Sequence, residues 1–253
     1  MVQPCQFLPW DTDFFGHRIA RVNRQRFDHD FLGDVCNWCK DHSIDCLYFL
    51  ARADDPQTVL LAEDHGFRLV EVRITLERSL LDWDPEIRPK ASENVYVRPV
   101  RHEDLPVLQD IAGKSYIDSR FYFDKCFSQD KWRAYYRTWI RKSCEGGADL
   151  ALVAEQEGQV VGYITGLVAR DKAEGIYELT GVEPSVRGNG VGQELFRSGL
   201  DWYVRAGVQH IQVVTQGRNV KVQRMILRHG FLTCSCQLYY HKWFSMCKNE
   251  NAS

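Results

Sequence analysis

The sequence has no excess of basic residues and no long apolar run. Among its 253 residues, 32 lysines and arginines are balanced by 34 aspartates and glutamates, so the formal net charge is −2. Domains that bind nucleic acid usually carry a basic excess, so we expect no nucleic-acid partner. No basic-then-apolar segment opens the chain, and no apolar run approaches the roughly 20 residues that cross a bilayer. We therefore expect a cytoplasmic protein without a membrane partner.

The nine cysteines lack the arrangement of a disulfide framework or of a zinc site. Their number is odd, and a chain without a secretory signal is expected to keep its thiols free. Cys36 and Cys39 form one CxxC pair, but no second pair completes a set of four zinc ligands. The pair lies in an amphipathic helical pattern with Phe31, Leu32 and Val35, where small thiols suit the core. We expect no bound metal ion.

The composition is otherwise that of an ordinary globular chain, with 44% hydrophobic and 26% charged residues. Hydrophobic alternation predicts strands at residues 19–22, 44–53, 67–78, 95–100, 150–154, 160–169, 176–182 and 211–215, and a region of paired strands at 231–244. Helical spacing and capping residues predict helices at residues 30–43, 56–64 and 219–228, one with Pro106 in its first turn, one capped by Ser128, and one that begins at Val191.

The middle of the chain contains a stretch without hydrophobic periodicity. It holds Pro85 and Pro89 together with several charged residues, which is typical of a linker. We therefore divide the chain into a first domain at residues 1–84, a linker at 85–94 and a second domain at 95–253.

The most informative stretch combines a strand, a glycine-rich loop and a helix. The strand at 176–182 is followed by Gly188, Gly190 and Gly192, and the helix begins at Val191. Glycines have no side chain to block a ligand, and the first N–H groups of a helix have no intrahelical partners. These N–H groups and the positive end of the helix dipole suit a pyrophosphate. The stretch therefore predicts a phosphate-binding loop.

Two common phosphate-binding patterns do not fit this loop. Gln193 stands where a dinucleotide-binding GxGxxG pattern has its last glycine or alanine, and the Gly-Lys-Ser/Thr of a Walker loop is absent. The run Arg187-Gly188-Asn189-Gly190-Val191-Gly192 after a Val-x-Pro strand end resembles instead the RxxGxG loop of the GCN5-related N-acetyltransferases (GNAT), which holds the pyrophosphate of acyl-CoA. The order of predicted elements from Val95 onward also resembles the GNAT fold.

This resemblance implies both an architecture and a cofactor. The implied fold class is α/β (α+β), with a central mixed, mainly antiparallel sheet flanked by helices and preceded by a smaller, degenerate half-GNAT domain. The implied acyl donor is acetyl-CoA, with no metal. Contacts to the cofactor are implied at the end of the strand, in the loop and before a later helix, at Leu179, Thr180, Gly181, Val182, Arg187, Gly188, Asn189, Gly190, Val191, Gly192 and Asn219.

Local runs elsewhere resemble one branch of this superfamily, the N-acetyltransferases of dTDP-4-amino-4,6-dideoxy sugars of the dTDP-fucosamine type. These runs are Trp10 to Gly16, Ser119-Arg120-Phe121 followed by the helix at 136–140, and Val214-Thr215-Gln216 leading to Asn219. The resemblance implies acetylation of a nucleotide-linked amino sugar, as in polysaccharide biosynthesis. A homodimer is a further expectation.

The same runs suggest where the acceptor binds. Arg120 could meet a phosphate of the nucleotide sugar, although a structural arginine is the alternative. Trp10, Phe14 and Phe15 could stack on a sugar or a base, and burial between the two domains explains them equally well. The first domain has no counterpart of the glycine loop, so we expect it to cover the acceptor and not the cofactor.

Acetyl transfer also requires a base and a proton donor. Glu178 is the candidate base, because strand alternation would place it on the same face as Thr180; a solvated or ion-paired strand residue is the alternative. Many relatives have a tyrosine seven residues after the asparagine, but this chain has Ile226 there. Tyr239 or Tyr240 could replace it, as could solvent. We choose Tyr239, because Tyr240 would then share a core-directed face with Leu238.

Two other functions fit the sequence. The chain could acetylate a protein, a peptide or another small amine, and an open acceptor groove would favour this. It could also be a regulatory module that binds acyl-CoA without turnover, which the missing tyrosine allows.

A last pattern is a repeat: His65-Gly66-Phe67 and His229-Gly230-Phe231 each follow a strand and a short helix, which supports the hypothesis of a duplication.

Overall fold

The fold is described by a computed structural model that covers residues 3–83, 92, 94–169 and 173–244. The described strands are β1 (Cys5–Phe7), β2 (Ile19–Val22), β3 (Cys46–Arg52), β4 (Arg68–Ser79), β5 (Tyr96–Pro99), β6 (Leu150–Gln156), β7 (Gln159–Ala169), β8 (Glu174–Val182), β9 (His210–Gln216) and β10 (Leu232–Trp243). The described α-helices are α1 (Pro9–Phe15), α2 (His29–Asp41), α3 (Pro56–Asp64), α4 (Leu105–Lys114), α5 (Arg120–Phe123), α6 (Gln129–Lys142), α7 (Val191–Arg205) and α8 (Val220–Arg228).

All of these strands belong to one sheet, in the order β1-β2-β3-β10-β4-β9-β8-β7-β6-β5. The pairs β2–β3 and β8–β9 are parallel and the other neighbouring pairs are antiparallel. Helices α2, α3, α7 and α8 pack on one face, and α1, α4, α5 and α6 pack on the other. The predicted fold class, a mixed and mainly antiparallel sheet flanked by helices, is therefore confirmed.

Most predicted elements are present within a few residues of their predicted bounds. Helix α3 has the predicted bounds, α7 begins at Val191, and the Ser128 hydroxyl accepts the backbone N–H of Lys131 at the start of α6. The prediction of a strand pair at the end of the chain is wrong. This segment forms one twelve-residue strand, β10, which continues through two bulges and pairs with a different strand on each side.

The position of β10 links the two halves of the chain. It lies between β3 and β4, and β4 in turn lies between β10 and β9. Trp83, which follows β4, donates its indole N–H to Asp201 of α7 at 3.1 Å. Strands from both predicted domains therefore alternate in one sheet. The boundary at 85–94 stays a prediction, and most of this linker lies outside the described residues.

Seven of the described cysteines carry free thiols, as predicted, whereas Cys126 is disulfide-bonded. Within the described ranges, no group of three His, Cys, Asp or Glu side chains is arranged to hold a metal ion. No helix in this part of the chain is long and apolar enough to cross a membrane.

Candidate functional site

A cleft opens where the parallel strands β8 and β9 separate. They pair only between Glu174–Tyr177 and His210–Val213, although β8 continues to Val182 and β9 to Gln216. Beyond Tyr177 the facing edges of the two strands therefore have backbone groups that no ladder uses. Backbone N–H groups at such an edge can donate to an oxygen of a ligand. The cleft leads from these edges to the glycine loop and the start of α7.

The glycine loop leaves the first N–H groups of α7 without a side-chain cap. Gly188 and Gly190 have φ angles of +93° and +86°, a left-handed conformation that favours glycine. Gly190 is the N-cap of α7, and no side chain accepts a hydrogen bond from the first turn. The free N–H groups at Val191 and Gly192, together with the helix dipole, form a site suited to an anion. The binding of a pyrophosphate at this loop stays a prediction.

Two other predicted cofactor residues lie on opposite sides of the cleft. The Arg187 guanidinium donates to the Val182 carbonyl at 2.9 Å and to the Ser115 hydroxyl at 3.3 Å, so it fastens the loop to the end of β8 and to α4. On the far side of the cleft, Asn219 is the N-cap of α8, but its side chain accepts no capping hydrogen bond. The Asn219 amide is therefore free to bind a ligand.

The candidate base lies at an irregular point of β8. Ile164 pairs with Thr180 and Gly166 with Tyr177, so β8 has an extra residue between these pairs. Tyr177 packs in the core under α7, whereas Leu179 packs in the core under α6. The bulge thus interrupts the alternation that placed Glu178 on the same face as Thr180, and that part of the prediction is wrong.

The environment of Glu178 nevertheless suits a proton acceptor. Its side chain is half-buried and hydrogen-bonded to Trp139 of α6, and its Oε2 is buried without a hydrogen-bond partner. Burial raises the pKa of Glu178, and the hydrogen bond from Trp139 opposes this effect. A carboxyl group with a raised pKa is a better base near neutral pH than an ordinary one. The catalytic role of Glu178 stays a prediction.

Tyr116, which the sequence reasoning missed, also reaches this cleft. Its φ of +57° is uncommon for a residue with a side chain. Its hydroxyl lies 3.0 Å from that of Tyr163 and near the backbone of Thr180. No periodicity or motif marks this position, because it lies in the loop after α4. Tyr116 is therefore a further candidate for contact with a ligand in the cleft.

The tyrosines of β10 point to opposite faces, as predicted. Tyr240 is fully buried with Leu238 in the core under α2 and α3, and Tyr239 faces the side of α5 and α6. Strands β4 and β9 lie between Tyr239 and β8. The general-acid role of Tyr239 stays a prediction. Ile226, at the position where relatives have a tyrosine, is fully buried in the core and supplies no proton donor.

Arg120 begins the short helix α5 and lies among aromatic rings. Its guanidinium carbon is 4.3 Å from the ring centre of Tyr48 and 4.2 Å from that of Tyr239. Its backbone N–H donates to the carboxylate of Glu71 at 2.9 Å. Next to it, the buried His241 ring lies 2.6 Å from Asp124, and burial lowers the pKa of His241 to about 4. Arg120 thus lies next to polar side chains of β4 and β10, namely Glu71 and His241. We call this part of the sheet surface the polar floor.

The aromatic residues of α1 lie where the two halves of the chain meet. Phe15 is buried, with its ring 4.6 Å from Phe127 and 5.5 Å from Tyr135. Phe14 stacks on Trp10 at 5.2 Å, and Trp10 is the most exposed of the three at 37%. The packing of Phe15 matches the structural alternative, while Trp10 keeps a surface that a ligand could reach.

Comparisons with known proteins agree with this geometry. Residues 114–231 match the family model described as acetyltransferase (GNAT) family. This match covers a little less than half of the chain and includes β8, the glycine loop, α7 and Asn219, so this segment is similar to the GNAT acetyltransferases.

Curated relatives are distant. The chain is 28% identical over 163 residues to the spore coat polysaccharide biosynthesis protein SpsD of Bacillus subtilis. This alignment covers 64% of this chain and 56% of SpsD. It is 25% identical over 131 residues to the dTDP-fucosamine acetyltransferase of Escherichia coli O6:H1, or 50% of this chain and 54% of that protein. It is also 25% identical over 197 residues to the mycothiol acetyltransferase of Stackebrandtia nassauensis, or 76% of this chain and 61% of that protein. The chain thus spans little more than half the length of these relatives.

Solved structures extend the likeness in fold to most of the chain. A GCN5-related N-acetyltransferase from Sphaerobacter thermophilus matches with a TM-score of 0.66 and 19% identity, over 94% of this chain and 76% of that one. A tandem GNAT protein from the clavulanic acid biosynthesis pathway matches with a TM-score of 0.62 and 16% identity, over 90% of this chain and 76% of that one. At these identities the likeness shows the fold alone. It includes much of the chain before residue 114, which the family model does not match.

Proposed function

We propose that this protein is an acetyl-CoA-dependent N-acetyltransferase whose acceptor is the amine of a nucleotide-linked amino sugar. The observation that carries the proposal is the cleft between β8 and β9, which ends at an α7 N-terminus capped only by Gly190. Bound acetyl-CoA supplies a thioester that an amine can attack directly. The pyrophosphate of the cofactor would lie on the N–H groups of α7, and Asn219 would contact it from the other side of the cleft.

The end of β8 supports direct attack on the thioester. The Leu179 N–H donates to the Thr165 hydroxyl at 3.3 Å, so a backbone N–H between Thr180 and Val182 would stabilise an oxyanion next to the cleft. The amine must lose a proton, and Glu178, with its raised pKa, would accept it directly or through water. The departing thiolate needs a proton from Tyr239 or from solvent.

The acceptor class is supported by the names of the relatives and by the polar floor beyond the cleft. SpsD is named for polysaccharide biosynthesis and the Escherichia coli relative for dTDP-fucosamine. The mycothiol acetyltransferase matches a larger share of this chain, which keeps another small amine as the second candidate. In both cases Trp10, Phe14 and Arg120 would contact the acceptor and leave the cofactor to the second half of the chain.

A panel of amines tests the proposal. The purified protein is incubated with acetyl-CoA and with dTDP-4-amino-4,6-dideoxyhexoses, UDP-amino sugars, free glucosamine, amino acids and a lysine peptide, and thiol release is measured. We expect the highest kcat/KM with a nucleotide-linked amino sugar. A higher kcat/KM with the peptide or with a small free amine would move the acceptor to another class. Acetyl-CoA binding without any turnover would favour the regulatory module.

The pH dependence of kcat/KM tests the two proton-transfer residues. Ionised Glu178 is the active form, so the rate should fall on acidification at a higher pH than for an ordinary carboxyl group, because the pKa of Glu178 is raised. Glu178→Gln should remove this acidic limb and lower kcat by about 10²- to 10⁴-fold, with little change in acetyl-CoA affinity. Tyr239→Phe should lower kcat similarly if Tyr239 protonates the thiolate. An unchanged kcat would leave solvent as the proton source.

A further inference from the structure

Three arginines gather on the polar floor between the cleft and α5. Arg73 lies on β4, where it pairs with Gln216 on one side and Gln237 on the other, and Arg120 lies at the start of α5. Arg218 lies in the loop between β9 and α8, directly before Asn219. All three guanidinium groups act electrostatically on the carboxylate of Glu71. We call Arg73, Arg120 and Arg218 the arginine cluster.

The positive charge of the arginine cluster is not neutralised by ion pairs among the described residues. Ion pairs among the described residues involve other arginines, namely Arg26, Arg52, Arg78, Arg98, Arg101, Arg141 and Arg197. Within this part of the chain, no ion pair joins a carboxylate to a guanidinium of the arginine cluster. The nearby carboxyl groups are those of Glu71, of the more distant Asp11 and, beyond His241, of Asp124, and burial raises the pKa of the first two.

The hydrogen bonds of the arginine cluster are also incomplete. The Nε of Arg73 is buried and has no hydrogen-bond partner. Arg218 donates one bond, to the Val70 carbonyl at 3.3 Å, and its guanidinium carbon lies 3.6 Å above the Phe123 ring. A buried donor without a partner is rare in native proteins, because it loses its bonds to water on folding. A ligand with several acceptor oxygens would satisfy these donors.

The exposure of the side chains decreases from Arg218 through Arg73 to Glu71. Arg218 is exposed, Arg73 is half-buried, and Glu71 beneath them is buried. The same loop carries Arg218 and the cleft residue Asn219. A ligand that enters past Arg218 therefore reaches Arg73 while it remains next to the cleft between β8 and β9. This arrangement fits part of the acceptor, because the cofactor phosphates have their own site at α7.

We propose that Arg73 and Arg218 form a binding subsite for a phosphate or diphosphate group of the acceptor. Guanidinium groups bind such oxyanions through paired hydrogen bonds, and Arg120 adds positive charge behind them. The inference rests on the proposed function in taking the anion to be part of the acceptor. It assigns the recognition of the phosphate to β4 and to the β9–α8 loop.

Isothermal titration calorimetry tests the subsite without turnover. Inorganic pyrophosphate, thymidine diphosphate and glutarate are titrated into the full chain saturated with coenzyme A, which occupies the α7 site. The titrations are repeated in Gly190→Asp, whose loop should not accept an anion, so the result does not depend on coenzyme A binding. We expect pyrophosphate and thymidine diphosphate to bind with a 1:1 stoichiometry and glutarate to bind more weakly.

Substitutions then locate the binding. Arg73→Gln and Arg218→Gln should each weaken pyrophosphate affinity by about 10- to 100-fold, and Arg218→Lys should recover part of the loss. Arg224→Gln is the matched control, because Arg224 is exposed on the neighbouring helix α8. Thermal unfolding shows whether each variant is folded, and the exposed Arg218 gives a valid test if Arg73→Gln fails to fold.

The possible outcomes separate the subsite from the proposed function. Equal pyrophosphate affinity in Arg218→Gln and Arg224→Gln would overturn the subsite, and so would tighter binding of glutarate than of pyrophosphate. If pyrophosphate binding depends on Arg218 but no nucleotide-linked amino sugar is acetylated, the subsite stands and the proposed acceptor is wrong. If such a sugar is acetylated with an unchanged KM in Arg218→Gln, the function stands and the subsite is wrong.

Discussion

Two units of the sheet have the same construction and differ at the starts of their helices. The first unit is β3-α3-β4 and the second is β9-α8-β10. Their first strands have seven residues each, their helices nine each and their last strands twelve each. In both units the helix ends at a histidine whose Nδ1 lies near a carbonyl one turn earlier, at 2.8 Å for His65 and 3.0 Å for His229. The glycines that follow have φ angles of +76° and +78°. This agreement supports the hypothesis of a duplication.

The two units also complete each other. Strand β10 of the second unit lies inside the first, and β4 of the first unit lies beside β9 of the second. Lys242 of β10 donates to the carbonyl of His65, and Arg78 of β4 donates to the carbonyl of His229. Each unit therefore has its histidine carbonyl capped by a cation from the other.

The difference between the units lies at the starts of the helices. In the first half, Asp28 accepts the N–H of Phe31 at 2.7 Å to cap α2, and Asp55 caps α3. In the second half, Gly190 and Asn219 stand at the starts of α7 and α8, and neither provides a side-chain cap. Helix N–H groups that a carboxylate already occupies cannot bind a phosphate. The comparison thus explains physically why the cofactor would bind to only one half of a repeated fold.

Moving the carboxylate cap from the first half to the second should have the largest effect. In Gly190→Asp, the new carboxylate would occupy the N–H groups of α7 and repel the pyrophosphate, so acetyl-CoA affinity should fall by at least about 100-fold. Gly190→Asn is the control for the charge, because it has the same size and can cap the same N–H groups without a negative charge. Calorimetry measures the affinity. Equal losses in both variants would show that the negative charge is not what closes the site.

A smaller effect separates the caps of α3 and α8. Asn219→Ala should weaken acetyl-CoA binding by about tenfold, because a free amide loses its contact, and should leave the unfolding free energy nearly unchanged. Asp55→Ala should do the reverse: it removes a cap and should cost about 1 kcal/mol of stability without any change in affinity. Urea unfolding and calorimetry on both variants measure the two quantities. A stability loss in Asn219→Ala as large as in Asp55→Ala would contradict the comparison.

The local parts of this comparison could be predicted from the sequence. The glycine loop, the bounds of α3 and the His-Gly-Phe motif each depend on a few neighbouring residues, so patterns were sufficient to find them. The opposite orientation of Tyr239 and Tyr240 also followed from alternation along one strand.

The remaining features depend on contacts between distant segments. No pattern in β10 indicates that it inserts between β3 and β4, because pairing partners are not encoded in the alternation of one strand. The bulge at Glu178 depends on how β8 matches β7, and alternation therefore predicted the wrong face for that side chain. Arg73 was missed because it stands in an ordinary strand pattern, and only the neighbouring Arg218 and Glu71 give it a possible role.

The reciprocal cations provide the smallest and most specific test of the comparison. Arg78 is mostly buried and its guanidinium also covers the ring of Trp83 at 4.7 Å, whereas Lys242 binds the His65 carbonyl at a more exposed position. Arg78→Met should therefore cost about 2 kcal/mol of stability, and Lys242→Met less than about 1 kcal/mol, because water competes for an exposed ammonium group. Methionine keeps an apolar stem, so each change removes the charged group with its hydrogen bonds and its contacts to aromatic rings. Since the units share strands, both variants should still unfold in a single transition by calorimetry and circular dichroism. A separate early transition in Lys242→Met would show that the first unit can open alone, and would contradict the interdependence that the sheet order implies.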